Sequence, residues 1–107
     1  MKVHLIKKKT ILEFIKVHNN SKKDFEQWMS ILNAANWNKP LDIGCLFPTS
    51  DLLGNGSNRV IFNIGGNKYR MICTYYFGQR MVRLYIKWIG THKEYTALCK
   101  EGKQYYI

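Results

Sequence analysis

Apolar and polar residues in the first part of the chain alternate with the periods of a short strand and then a helix. The apolar run at residues 3–6 ends at three lysines and predicts an opening strand. Thr10 and Glu13 have the spacing of a capping box, and apolar residues fill the turn that follows. This pattern predicts a helix that ends near Asn19 and Asn20.

A second amphipathic pattern follows, and Ser21 with Asp24 opens it in the same manner. Apolar residues recur on one side of the expected helix: Phe25, Trp28, Met29, Leu32 and Ala35. A stripe of aromatic and methionine residues at this spacing is typical of a core-facing surface. The helix is therefore predicted to pack on a sheet and not to line a ligand pocket.

Residues 36–58 lack a regular period and contain both prolines together with several Asn and Gly. Such residues favour loops and turns, so the segment is predicted to be a long surface loop. Leu46 and Phe47 are interpreted as a brief strand within it.

Three runs rich in β-branched and aromatic residues follow, at 59–64, 68–77 and 81–89. A Gly-Gly pair separates the first two runs, and a turn at a Gly-Gln pair separates the last two. This pattern predicts an antiparallel meander with two short turns.

Two-residue turns would fix the two faces of this sheet, because side chains alternate along each strand. Ile64 then faces Asn67, and Phe77 faces Arg80. One face carries no charge and extends to Trp88. The other, which we call the cationic face, extends to Ile89 and carries basic residues and tyrosines: Arg59, Lys68, Arg70, Tyr76, Arg83, Tyr85 and Lys87.

The cationic face is predicted to place like charges opposite one another. Arg70 is expected across from Lys87, and Arg83 across from Thr74. Like charges on neighbouring strands destabilise a sheet, and no acidic residue is expected on this face. We interpret it as a surface that binds a polyanion, because an ordinary solvated face normally mixes both signs.

The composition favours the same class of partner. The 107 residues suffice for one domain, and 17 Lys and Arg against seven Asp and Glu give a formal net charge of +10. Such a chain attracts phosphate backbones, acidic proteins and anionic membranes. No apolar run approaches the roughly 20 residues of a spanning helix, and the lysines follow the short apolar start, the reverse of a secretory signal. We therefore expect a cytoplasmic protein with no membrane contact.

Proton-transfer groups are expected where the last strand ends. Gly90 ends that strand, and Thr91 with Glu94 has the pattern of a capping box for a short helical turn. His92 and Tyr95 lie three residues apart, on one side of the turn.

These residues suit cleavage of an RNA phosphodiester bond. Attack by the ribose 2′-hydroxyl produces a phosphorane with added negative charge, which Arg70, Lys68 and Lys87 would stabilise as fixed cations. His92 is the natural proton-transfer group at neutral pH, and Tyr95 is its partner. No metal and no cofactor are predicted, because the sequence has no cluster of acids for magnesium and no C-x-x-C pair for zinc.

Three motifs resemble one family. R-V-I-F-N-I-x-G-N-K-Y-R from Arg59 to Arg70 and G-T-H-x-x-Y from Gly90 to Tyr95 are similar to the HigB toxins, which are RelE-like bacterial messenger RNA interferases. The motif N-W-x-K-P-x-D-I at residues 36–43 is also similar.

The resemblance implies a single RelE-like toxin domain over residues 1–107. Its fold would be α+β, with two N-terminal helices packed on a twisted antiparallel sheet and a short C-terminal helical turn. Such a toxin would cleave messenger RNA on the translating ribosome without a metal, and a HigA-like helix-turn-helix antitoxin would neutralise it. The catalytic residues carry over to Lys68, Arg70, His92 and Tyr95. RNA contacts are expected at Arg59, Asn67, Arg83 and Lys87.

Two positions depart from the family pattern, and two other functions remain open. Lys87 stands where the family commonly has Arg, which would exchange a bidentate phosphate contact for a point charge. Thr96 replaces a common Asp. The alternatives are an RNA or ribosome binder that blocks translation without cleavage, and an interaction protein whose basic face docks an acidic partner.

Overall fold

A computed structural model describes residues 1–54 and 56–107. Strands and helices mix along these residues. The elements are β1 (Lys2–Ile6), α1 (Lys8–Val17), α2 (Lys22–Asn33), α3 (Leu41–Leu46), β2 (Asp51–Leu52), β3 (Arg59–Ile64), β4 (Tyr69–Phe77), β5 (Met81–Thr91) and α4 (His92–Lys100). Short 3-10 turns lie at Asn19–Ser21 and Lys103–Tyr105. The predicted α+β class is confirmed.

The five strands form one mixed sheet in the order β1-β5-β4-β3-β2. The antiparallel meander β3-β4-β5 forms as the sequence predicts. The prediction of a wholly antiparallel sheet is wrong, because β1 pairs parallel with β5, with Val3 beside Val82. Parallel strands need a crossover connection, and the intervening helices and strands supply it.

The core lies between one face of the sheet and α1 and α2. Ile11 of α1 is fully buried, and so is Phe25 of α2, with Trp28 and Leu32 nearly so. The sheet contributes apolar side chains to the same cluster: Val60, Phe62, Ile64, Met71, Cys73, Val82, Leu84 and Ile86. The periodic stripe of α2 therefore faces the core as the sequence predicts.

Residues 36–54 and 56–58 are more ordered than their composition predicts, and Asn55 of the predicted loop lies outside the described residues. They contain α3 and the two-residue strand β2, which pairs with β3. The predicted strand at Leu46 and Phe47 is wrong: Leu46 ends α3, and Phe47 is buried beside the rings of Trp28 and Phe62. A helix of six residues shows too little of its period to be recognised in the sequence.

The predicted capping boxes of the first two helices are wrong. Helix α1 begins at Lys8, two residues before Thr10, and Lys7 precedes it with a positive φ of 68°. Ser21 makes no side-chain cap to α2, because its hydroxyl donates to the carbonyl of His18 at 2.6 Å. The two helices are thus joined through a 3-10 turn, with no extended residue at the Ser21 position.

Both hairpin turns are longer than the sequence predicts. Ile64 pairs with Tyr69, and Phe77 pairs with Val82, so each register is displaced by two residues. Because side chains alternate with a period of two, an even displacement leaves the face assignments unchanged. Arg83 does change partner: it lies across from Tyr76 and not from Thr74.

A β-bulge in β5 reverses the last part of the predicted pattern. Ile72 pairs with Trp88, whereas Cys73 pairs with Ile86, which leaves Lys87 as the extra residue. Beyond the bulge, Trp88 lies on the cationic face and Ile89 packs towards the core. The predicted Arg70–Lys87 opposition is therefore wrong, and Arg70 lies across from Gly90.

The turn between β3 and β4 offers a matched test of crowding. Gly65 and Gly66 both have positive φ, 64° and 71°, but a Cβ would lie 2.6 Å from Asp24 Oδ2 only at position 65. We expect Gly66→Ala to lower the free energy of unfolding by about 1–2 kcal/mol, the cost of a left-handed residue. Gly65→Ala should cost about 1 kcal/mol more, because Asp24 must move.

Urea unfolding of both variants measures the two costs. Equal losses in the two variants would contradict the close approach of Asp24 to the turn.

Candidate active site

The candidate site lies where β4 begins, β5 ends and α4 starts. The predicted capping box of α4 is confirmed: Thr91 Oγ1 accepts from the Glu94 N–H at 3.2 Å, and Glu94 Oε1 accepts from the Thr91 N–H at 2.8 Å. The His92 N–H donates to the carbonyl of Lys68 at 3.1 Å. The β3–β4 turn and the first turn of α4 are therefore held together.

Helix α4 covers this end of the cationic face. It contacts both β4 and β5, and the ring of Tyr95 lies 6.2 Å from that of Trp88. Ile61 and Ile72 are buried, although neither belongs to the cluster beneath the helices, and Arg70 is only 9% exposed. The face is thus open only in part, because α4 excludes water from its end beside Arg70.

Arg70 carries a buried charge without an acidic partner in the described part of the chain. Its guanidinium donates to the Tyr69 carbonyl at 3.2 Å and to Asn67 Oδ1 at 3.4 Å, and both acceptors are neutral. No salt bridge in residues 1–54 and 56–107 involves it. Burying an unpaired cation costs free energy, and a bound anion would offset that cost. The geometry therefore suits a phosphate group.

Tyr95 is half-buried on α4 beside Trp88. Burial raises the pKa of its phenol well above the usual value, and Cys99 and Asp51 raise this pKa further, whereas Arg70 lowers it. The phenol is therefore protonated throughout the neutral range. Asp51 also corrects the expectation of a face without acids: its strand pairs with β3 opposite Ile61, on the cationic side.

His92 lies exposed at the first residue of α4, with one ring nitrogen next to a hydroxyl. Its Nδ1 is 3.3 Å from Thr96 Oγ1, and the same hydroxyl donates to the His92 carbonyl at 3.0 Å. A hydroxyl has one proton to donate, and when that proton goes to the carbonyl, Oγ1 can only accept from Nδ1–H. This arrangement selects the tautomer in which Nε2 is the proton acceptor.

Trp88 is a site residue that the alternation pattern assigned to the wrong face. Its ring occupies the space that a side chain at Gly90 would need, so only glycine fits opposite Arg70. A bulge has no signature in the two-residue period, which is why the sequence alone missed Trp88. The sequence marked Thr96 only as a departure from the family pattern. It did not place Asp51 near the site, because the strand that carries Asp51 is only two residues long.

The structure brings together only some of the predicted site residues. Lys68 lies in the turn, and its Nζ is 3.7 Å from Asp24 Oδ2 of α2, so its ammonium does not lie on the cationic face as predicted. Asn67 holds Arg70. Arg59 donates to the carbonyl of Ile107. Arg70, His92 and Tyr95 are thus the predicted residues gathered around α4.

Arg83 and Lys87 lie further along the sheet. Both are exposed, and they line a cleft of about 410 Å³ together with tyrosine and threonine side chains: Thr74, Tyr76 and Tyr85. This cleft is open to solvent and separate from the α4 end of the face.

Residues 1–54 and 56–107 contain no group of three or more His, Cys, Asp or Glu side chains that is placed to hold a metal ion. No helix in these residues has the length and apolar character that a bilayer crossing requires.

Comparison with known proteins finds similar chains. A family model described as HigB_toxin, RelE-like toxic component of a toxin-antitoxin system, matches residues 21–98. The mRNA interferase toxin HigB of Escherichia coli strain K12 is 26% identical over 93 residues, which cover 87% of this chain and 88% of that protein. The proteins named mRNA interferase HigB from Escherichia coli O157:H7 and Shigella flexneri match with the same identity and coverage. The family match spans Arg70, His92 and Tyr95.

Proposed function

The chain belongs to the HigB family of RelE-like toxins, and from this membership we propose that it is an endoribonuclease that cleaves messenger RNA as the toxin of a toxin-antitoxin pair. The observation that carries the proposal is the buried Arg70 guanidinium, which has only neutral acceptors and lies near Tyr95 at the start of α4. A scissile phosphate supplies the anionic partner that Arg70 lacks among the salt bridges of the described residues.

We propose a cleavage step in which the RNA supplies its own nucleophile. Nε2 of His92 removes the proton of a ribose 2′-hydroxyl, and the 2′-oxygen attacks the adjacent phosphorus. The bond from phosphorus to the 5′-oxygen breaks, and the Tyr95 hydroxyl donates a proton to the departing oxygen. Arg70 stabilises the added charge of the phosphorane. The products are a 2′,3′-cyclic phosphate and a 5′-hydroxyl end, and proton exchange with solvent returns His92 to its neutral form and Tyr95 to its phenol.

The proposed partners follow from the charge and the family. We propose that the toxin acts in the cytoplasm on messages held by the translating ribosome, where a net charge of +10 favours approach to phosphate-rich surfaces. A HigA-like helix-turn-helix antitoxin is proposed to neutralise it. The whole chain, residues 1–107, would act as one toxin domain.

End-group analysis tests the chemistry. Purified protein is incubated with a message on translating ribosomes and, separately, with free RNA in the presence and absence of a chelator. A cyclic phosphate and a 5′-hydroxyl end at each cut are expected, and the chelator should not change the rate of any cleavage of the free RNA. Fragments with a 3′-hydroxyl and a 5′-phosphate would contradict the mechanism, and arrested translation with an intact message would identify a binder that does not cleave.

Thr96 supplies a test of the proposed His92 tautomer. Thr96→Val removes the hydroxyl that holds Nδ1, and we expect kcat to fall about three- to tenfold, the equivalent of one hydrogen bond of roughly 0.5–1.5 kcal/mol. Thr96→Ser keeps the hydroxyl and should retain activity. The measurement is kcat against pH for the three proteins. A Val variant with the wild-type rate and pH profile would show that Thr96 does not orient His92.

A further inference from the structure

The cleft on the open part of the cationic face is distant from the proposed scissile site. It is lined on β4 and β5 by Thr74, Tyr76, Arg83, Tyr85 and Lys87 and has a volume of about 410 Å³. Tyr76 lies six residues after Arg70 along β4, which places the two side chains about 20 Å apart at roughly 3.3 Å per residue. A base at Tyr76 therefore belongs to a different nucleotide from the one whose phosphate lies at Arg70.

Two tyrosine rings give the cleft a rigid aromatic wall. Tyr76 is 52% exposed, and its ring centroid lies 5.4 Å from that of Tyr85, with the ring planes at 88°. Asn58 and then Thr74 lower the pKa of the Tyr76 phenol. A half-exposed ring that packs edge-on against a second ring presents its surface to a ligand at little entropic cost.

Cations surround the same rings. Arg83 lies directly across from Tyr76, and Lys87, the extra residue of the bulge, is exposed nearby. Lys87 and Arg59 both act to lower the pKa of Tyr76, which places positive charge close to the phenol. No acidic side chain lines the cleft among the described residues. Stacking rings with flanking cations are the arrangement that binds single-stranded nucleic acid.

We propose that this cleft binds one unpaired base of the RNA strand, stacked on the exposed ring of Tyr76 with Tyr85 edge-on beside that ring, and with Arg83 and Lys87 on the neighbouring phosphates. The inference rests on the proposed function, since it takes the substrate to be RNA. It adds a second point of attachment a few nucleotides from the scissile phosphate. Such a contact sets the register of the strand across the sheet.

Binding of an uncleavable probe tests the cleft separately from cleavage. The probe is a labelled single-stranded 2′-O-methyl RNA of about 12 nucleotides, within the site sizes of about 4–16 known for stacking surfaces. We expect Tyr76→Leu to raise Kd about tenfold, the loss of one stacked base. Tyr76→Phe keeps the ring and should bind as the wild type does. Tyr106→Leu is the matched control, because Tyr106 is 80% exposed and does not line the cleft.

Salt dependence and base removal separate stacking from charge. The plot of log Kd against log salt should keep its slope in Tyr76→Leu, whereas Arg83→Ala should reduce the slope by about one phosphate contact. Removing one base of the probe at a time should weaken wild-type binding about tenfold at one position, and Tyr76→Leu should lose that position dependence.

Three results would contradict the proposal that the cleft binds a base. Tyr76→Leu could bind the probe with wild-type affinity, or it could keep the penalty for base removal. The wild type could also fail to bind the probe at low salt. The nuclease proposal stands or fails by cleavage alone. Cleavage without base-dependent binding rejects only the cleft, and base-dependent binding without cleavage rejects only the nuclease.

Discussion

Arg70→Ala is expected to reduce RNA cleavage about a hundred- to a thousandfold, the loss found when one preorganised donor to a developing charge is removed. Arg70 is only 9% exposed on β4, which contacts α4, so water has limited access to replace the guanidinium at the phosphorane. Its removal leaves no carboxylate unpaired, because its hydrogen-bond acceptors are the Tyr69 carbonyl and Asn67. The free energy of unfolding should therefore change far less than the rate.

The measurement is single-turnover cleavage beside urea unfolding. Arg80→Ala serves as the control for lost positive charge, because Arg80 is exposed between β4 and β5 and does not line the cleft. Arg70→Lys should recover part of the rate through its charge, without the planar fork of donors. An Arg70→Ala variant that cleaves as fast as Arg80→Ala would remove Arg70 from the chemistry.

His92→Ala is expected to reduce cleavage by about a hundred- to ten-thousandfold, the usual contribution of a general acid or base. The ring is exposed and makes its side-chain contact with Thr96, so stability should be nearly unchanged. His4 lies exposed on β1 and provides the matched control, since His4→Ala removes an imidazole from elsewhere on the surface. Added imidazole should restore part of the rate in His92→Ala.

The rate with and without imidazole decides whether His92 transfers a proton. A His92→Ala variant of unchanged rate would assign the proton transfer to another group. A reduced rate that imidazole does not raise would indicate that the residue positions the RNA instead.

The sheet was largely predictable because its side chains alternate. Both turn lengths were wrong, but a displacement of two residues keeps the faces, as the pairing of Phe77 with Val82 shows. The bulge at Lys87 adds one residue to β5, so the alternation of side chains is displaced by one beyond it. Trp88 and Ile89 therefore lie on the faces opposite to those predicted. A single unpaired residue leaves no trace in the pattern of apolar residues.

The sequence predicted the parts of the site that depend on residues close together along the chain. The capping box of Thr91 and Glu94 placed His92 and Tyr95 on one helical turn, and alternation placed Arg70 on the right face. Lys68 was misplaced because the turn is longer than expected and directs its ammonium to Asp24. The cover that α4 provides over Arg70 depends on packing, which the sequence does not display.

The central claim is tested most directly by expressing the chain in bacteria and mapping the ends of a translated message by primer extension. Wild type is compared with Arg70→Ala and His92→Ala at matched protein levels. Discrete cuts within the reading frame are expected for the wild type, and their loss is expected in both variants. Growth arrest by the wild type with uncut messages would contradict the claim that the chain is an mRNA endoribonuclease.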